Sequence, residues 1–201
     1  MLKFRILLQR VLLSALSAFF IWRSAVFLPW LVKHPQPASI STILIQSVRL
    51  DFYLLGMFAI GFAWPIHRIF PDLYYESVHS ESFASVCTFL RIKQFRRLLR
   101  LTFWRPWLSK QFFFDGTRNG LAQFDQNTRR AEFIHAAAFV VILLACLYIG
   151  MSGDHLLAVA AFLVNVVWNF YPVILQRYQR SRLRVARKEV CKSSGYERFA
   201  A

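Results

Sequence analysis

Glu132 and His135 are the residues of this chain whose types and spacing suit them to moving a proton. They stand three apart in R-R-A-E-F-I-H, so on a helix they share a face. An imidazole can take the proton of an attacking hydroxyl, and a neighbouring carboxylate can hold its tautomer and steady the charged ring. The same pair also reads as an anchor at a helix start, where a carboxylate meets the positive end of the helix dipole. On these residues alone both readings stay open.

A second polar group lies some forty residues on, across a mostly apolar stretch. Asn165, Asn169, Pro172 and Gln176 fall at offsets of 0, 4, 7 and 11, which is one helical face. Amides inside an apolar run need partners, so the stripe faces protein rather than lipid, either as packing glue or as part of a site. Pro172 removes one backbone bond and leaves a carbonyl near Trp168 without its usual donor. His135 lies five residues inside Arg130 and Asn169 seven inside Gln176, a comparable depth of roughly 7–10 Å. The alanines at 136, 137 and 138 allow a close approach between the two helices. Arg177, Tyr178 and Arg180 follow Gln176, and Arg130 precedes the Glu–His pair. Guanidinium forks at such a place bind lipid phosphate, the phosphates of an activated donor, or a carboxylate. The chain has no phosphate-cradling glycine loop, no H-E-x-x-H and no G-x-S-x-G, so no serine nucleophile is signalled.

The elements that must position these residues are membrane spans. Of 201 residues 57% are hydrophobic, and they are clustered rather than spread. The pattern predicts an all-α integral membrane protein, a single membrane domain over 1–201. About four transmembrane helices, over 7–32, 40–66, 131–151 and 155–175, form two antiparallel hairpins. His34-Pro35-Gln36-Pro37 and Ser152-Gly153-Asp154 are the hairpin turns, and 115–120 also reads as turn chemistry. Residues 86–114 read as an amphipathic interfacial segment, in which five cations between 91 and 100 alternate with Phe95, Leu98 and Leu99 before Trp104, Pro106 and Trp107. Residues 176–201 form a basic tail. Arg23 and Asp51 lie at matching depths in the first hairpin, which predicts a structural ion pair with Arg49 nearby. Cys87, Cys146 and Cys191 have neither metal-ligand spacing nor an even count for a disulfide framework, and no metal is expected.

The net charge of +15 raises nucleic acid as a partner, but the cations border apolar runs, which suits anionic lipid headgroups instead. Of the 25 Lys and Arg, three lie within the first ten residues, 11 lie between 68 and 130, and eight follow 175. By the positive-inside rule the amino terminus, the long connection and the tail lie on the cytoplasmic side of the inner (plasma) membrane.

The R-A-E-F-I-H at 130–135, Asn169 seven before Gln176, and Q-R-Y-Q-R-S-R-L at 176–183 together resemble the glycosyl-4,4'-diaponeurosporenoate acyltransferase family. The resemblance covers 128–183 closely and 91–116 more loosely. Gln179 stands where the family commonly has Asn, and Arg105 where it commonly has Lys. What the resemblance implies is O-acyl transfer to a hydroxyl of a glycolipid-like acceptor, such as a carotenoid glycoside. His135 would then be the base and Glu132 its orienter. Asn165, Asn169 and Gln176 would position the acceptor or the oxyanion, and Arg130, Arg177, Tyr178 and Arg180 would hold the donor. No cofactor is expected beyond a donor such as acyl-CoA or acyl carrier protein. Expected partners are membrane lipids, the two substrates and enzymes of the same pathway, without nucleic acid. The alternative on the same residues is a non-catalytic membrane subunit that binds lipid or a partner enzyme.

Overall fold

In a bilayer an apolar run has no water to satisfy its backbone, and a helix satisfies it internally. The computed structural model describes residues 2–34, 39–62, 72–75, 81–101 and 118–193, and these are helical with no strand among them. Helix α1 is Leu2–Lys33 and α2 is Ile40–Gly56, which runs on as a π-helical segment Met57–Phe62. Short helices α3 (Asp72–Tyr75), α4 (Glu81–Phe89) and α5 (Ile92–Leu101) follow. Then come α6 (Arg118–Met151) and α7 (His155–Asn165), a second π segment Val166–Phe170, and α8 (Tyr171–Ser193). Four stretches are long and apolar enough to cross a membrane: Val11–Lys33, Ile40–Ile60, Asn119–Met151 and His155–Leu183.

The chain forms two compact units, the first made of Met1–Ile69 and Phe133–Pro172. Here α1 packs on α2, and α2 on α7. The inward stripe of α6 is Ala138, Ile142, Ala145 and Ile149, all buried at helical spacing, and it joins Phe27, Leu31, Ile43, Leu50, Leu54, Leu157 and Ala161 in one core. Leu12, Trp22, Leu144, Leu147 and Leu163 are exposed on the outer faces, the distribution a lipid solvent permits. Gly56 faces Phe20 of α1, and a Cβ there would run into the ring, so the glycine sets how closely α1 and α2 approach. The turn after α6 carries Gly153 at φ 100°, and Asp154 caps α7 by accepting from the Leu157 N–H at 3.1 Å.

The expected Arg23–Asp51 ion pair does not form. Arg23 donates to the Tyr53 hydroxyl at 3.0 Å and lies over the Trp22 and Tyr53 rings, while Arg49 donates to Gln46 at 3.2 Å and lies over Phe27. Depth along a helix says nothing of rotation around it. Tyr53 and Asp51 are two residues apart, roughly 200° around α2, so the arginine side and the Asp51 side are different faces. Asp51 lies instead with Ser47, Leu50 and Leu54 on the buried face.

The second unit is Phe70–Glu132 with Val173–Ala201. Its α4 and α5 pack together. Between them Arg91 sits at φ 52°, the left-handed residue that ends a helix, with its N–H donated to the Thr88 carbonyl at 3.1 Å. The interfacial segment expected over 86–114 is thus two helices rather than one as far as Leu101, and 102–114, with both tryptophans, lie outside the described residues. Two boundaries also differ from expectation. Arg118, Asn119 and Gly120 open α6 instead of ending a turn, and the basic tail is helical to Ser193. Charged residues hid both extensions from a hydropathy reading. Within the α6 extension Asp125 and Arg129 pair at i, i+4 over 2.8 Å, and Thr128 is buried with its hydroxyl on the Asp125 carbonyl.

Candidate functional site

In the first unit, the polar stripe of α7 and its π segment is held by bonds that leave little choice of orientation. Asn165 donates its amide to the Phe139 carbonyl at 3.0 Å, so its Oδ1 faces the other way. Asn169 donates from Nδ2 to that Asn165 Oδ1 at 3.0 Å and to Asp51 Oδ1 at 2.8 Å. Both partners are oxygens that accept, so the Asn169 amide has one orientation and its Oδ1 points at His135. His135 Nδ1 lies 3.1 Å from that oxygen and must donate to it. The local chain explains this. In the segment Val166–Phe170 the Tyr171 N–H reaches back five residues to Val166, and Pro172 has no N–H to give. Asn165 and Asn169 are fully buried and His135 is half-buried.

A different cluster occupies the second unit. Glu132 is fully buried, its Oε1 accepting from Arg177 Nε at 2.7 Å and its Oε2 from Arg180 Nη2. Tyrosine rings cover these guanidinium groups: Tyr74 meets Arg177 at 5.0 Å, and Tyr75 meets Arg180 at 5.6 Å and Arg129 at 5.2 Å. Burial, then the Glu132 carboxylate, pushes the Tyr75 hydroxyl up to about 12. Arg180 is 3% exposed, yet among the described residues its Nε and Nη1 have no hydrogen-bond partner, and neither do Gln176 Oε1 and Gln179 Oε1. Tyr178 is half-buried, and burial with the Arg100 and Arg182 charges holds Arg96 below the usual guanidinium range.

The expected Glu132–His135 partnership is replaced by two others. Both Glu132 oxygens are taken by arginines, and Asn169 holds the histidine. Two guanidinium charges outcompete a neutral ring for a buried carboxylate. Arg130 is half-buried on α6 and is not among the partners of Glu132; its neighbour Arg129 is bound by Asp125. Asp51, Tyr74 and Tyr75 were not expected in these clusters. A carboxylate on the buried stripe of α2 is a sequence signal for Asp51, whereas nothing in the spacing of Tyr74 and Tyr75 marks them.

The apolar helices and their buried polar clusters define a multi-pass helical membrane protein. The family model for glycosyl-4,4'-diaponeurosporenoate acyltransferase matches residues 71–189, more than half of the chain, and the chain belongs to that family. It is therefore an acyltransferase. No curated protein and no solved structure matches it. Every candidate residue from Arg130 to Arg180 falls within the match, and Asp51 falls outside it.

Proposed function

We propose that the chain transfers a fatty acyl group from an activated donor to a hydroxyl of a glycolipid-like acceptor, such as a carotenoid glycoside, with His135 as general base. The observation that carries this reading is the bond from His135 Nδ1 to an Asn169 amide of fixed orientation. With Nδ1 carrying the proton, Nε2 is the basic nitrogen of the neutral ring. It takes the acceptor's hydroxyl proton as the oxygen attacks the acyl carbonyl carbon. The tetrahedral intermediate then expels the donor's leaving group, which receives that proton from the imidazolium.

Glu132, Arg177 and Arg180 serve the donor rather than the proton. One carboxylate between two guanidinium groups leaves a buried positive excess, and Arg180 Nε and Nη1 remain to meet an anion. The phosphates of acyl-CoA or of an acyl carrier protein supply one. Arg130, Tyr178 and Gln176 border this group in the sequence and complete the proposed substrate contacts. Both termini lie on the cytoplasmic side, a reading that the charge distribution supports.

The test uses the full chain in lipid nanodiscs with palmitoyl-CoA and a carotenoid glycoside. Wild type forms the ester, and His135→Ala lowers kcat by roughly 10²–10⁴-fold, the usual contribution of a positioned base. In the sequence His67 and Asp72 are another histidine and carboxylate, with four residues between them, and His67 lies outside the described residues. His67→Ala is the companion variant: full activity there with loss at His135 supports the assignment, and the reverse overturns it.

A further inference from the structure

Asp51 is 1% exposed, on the apolar face of α2, and its partner is not a cation but the Asn169 amide at 2.8 Å. It comes from a different helix than His135 and Asn169 and from outside the residues of the family match. Among the described residues its second oxygen, Oδ2, has no hydrogen-bond partner. Burying a carboxyl costs free energy unless it is bonded, so a residue bonded through one oxygen only is a poor device for stability alone.

The bonds around it run in one direction. The Phe139 carbonyl accepts from Asn165, which turns the Asn165 oxygen towards Asn169. The two N–H groups of Asn169 then meet two oxygens, one from Asn165 and one from Asp51. With both donors engaged, the amide cannot flip without setting its oxygen against two others and its donors against the His135 ring. Asp51 is the only one of these acceptors that reaches Asn169 from another helix, so it also fixes where the amide stands.

We infer that Asp51 is a positioning residue for acyl transfer: through Asn169 it fixes the proton on His135 Nδ1 and so keeps Nε2 as the ring's basic nitrogen. The role rests on an acceptor oxygen at this place and not on charge. It deepens the reading of His135 as base, and its failure can be told apart from the failure of that reading.

The experiment records ¹⁵N-histidine spectra of the full chain in lipid nanodiscs, at a pH where the ring is neutral, with His135 assigned by its loss in His135→Ala. Wild type shows the Nδ1–H tautomer. Asp51→Leu removes the acceptor, and its His135 signal moves to a mixture of tautomers; kcat falls about tenfold or more while KM holds, since orientation acts on the chemical step. Asp51→Asn restores both, because it keeps an oxygen in place. If Asp51→Leu fails to insert, Asp51→Ala, which relieves the change in shape, carries the same expectation. An Nε2–H tautomer in wild type, or a tautomer indifferent to loss of the Asp51 oxygen, overturns the inference. So does an Asp51→Asn as impaired as Asp51→Leu. A tautomer that follows Asp51, in a protein whose activity survives His135→Ala, leaves the positioning intact and removes the base instead.

Discussion

At the scale of single residues, the arrangement turns on which partner each polar atom has. Glu132 has the most at stake, because its two oxygens neutralise guanidinium groups that are themselves mostly covered. Glu132→Ala leaves Arg177 and Arg180 as uncompensated charges and is expected to cost about 3–5 kcal/mol of stability, the usual effect of removing one partner of a buried pair. Glu132→Gln keeps the shape and one acceptor oxygen and costs less. Thermal unfolding in a fixed detergent ranks the three proteins, and equal midpoints would show the pair to be solvated. Tyr75 supplies a pH dependence. Its hydroxyl is raised from 10.0 to about 12, so it adds stability that is fully present below pH 10 and is lost as the pH climbs to about 12. Spectrophotometric titration should show one tyrosine ionising well above the rest, and Tyr75→Phe should remove that step.

At the scale of elements, hydropathy located the four spans because length and apolarity are what a bilayer selects. Their ends were less legible. Arg118, Asn119 and Gly120 look like a turn, and residues 176–193 like a solvated tail, yet both are helix. A helix leaving the apolar layer must change composition without changing conformation. The candidate site was legible in depth, since counting residues from Arg130 and from Gln176 puts His135 and Asn169 at matching levels. It was not legible in rotation, so depth alone pairs Asp51 with Arg23 and Glu132 with His135. The turn after α6 offers a direct check on local chemistry. Asp154→Ala removes the cap from the Leu157 N–H and is expected to destabilise the protein by about 1 kcal/mol, read from the shift of its unfolding midpoint. No shift would mean that the cap is replaced by water.

For the whole molecule, membership of an acyltransferase family and four apolar helices give the class, and the cations give the proposed orientation. Only Lys33 falls in the loops assigned to the outer side, against 22 cations in the regions assigned to the inner one. A reporter active only in the cytoplasm should work when fused after Ala201, and a periplasmic reporter there should stay silent. The opposite result would place the carboxyl terminus and the basic segments outside. It would also remove cytosolic acyl-CoA and acyl carrier protein as donors for this chain.

The central claim, that His135 takes the acceptor's proton, has its most direct test in whole cells that make a carotenoid glycoside. The measurement is lipid mass spectrometry of those cells expressing either wild type or His135→Ala at equal membrane levels. The account predicts the fatty-acyl ester with wild type and only the empty-vector background with the variant. Ester at the wild-type level from a His135→Ala protein that is folded and inserted would contradict it.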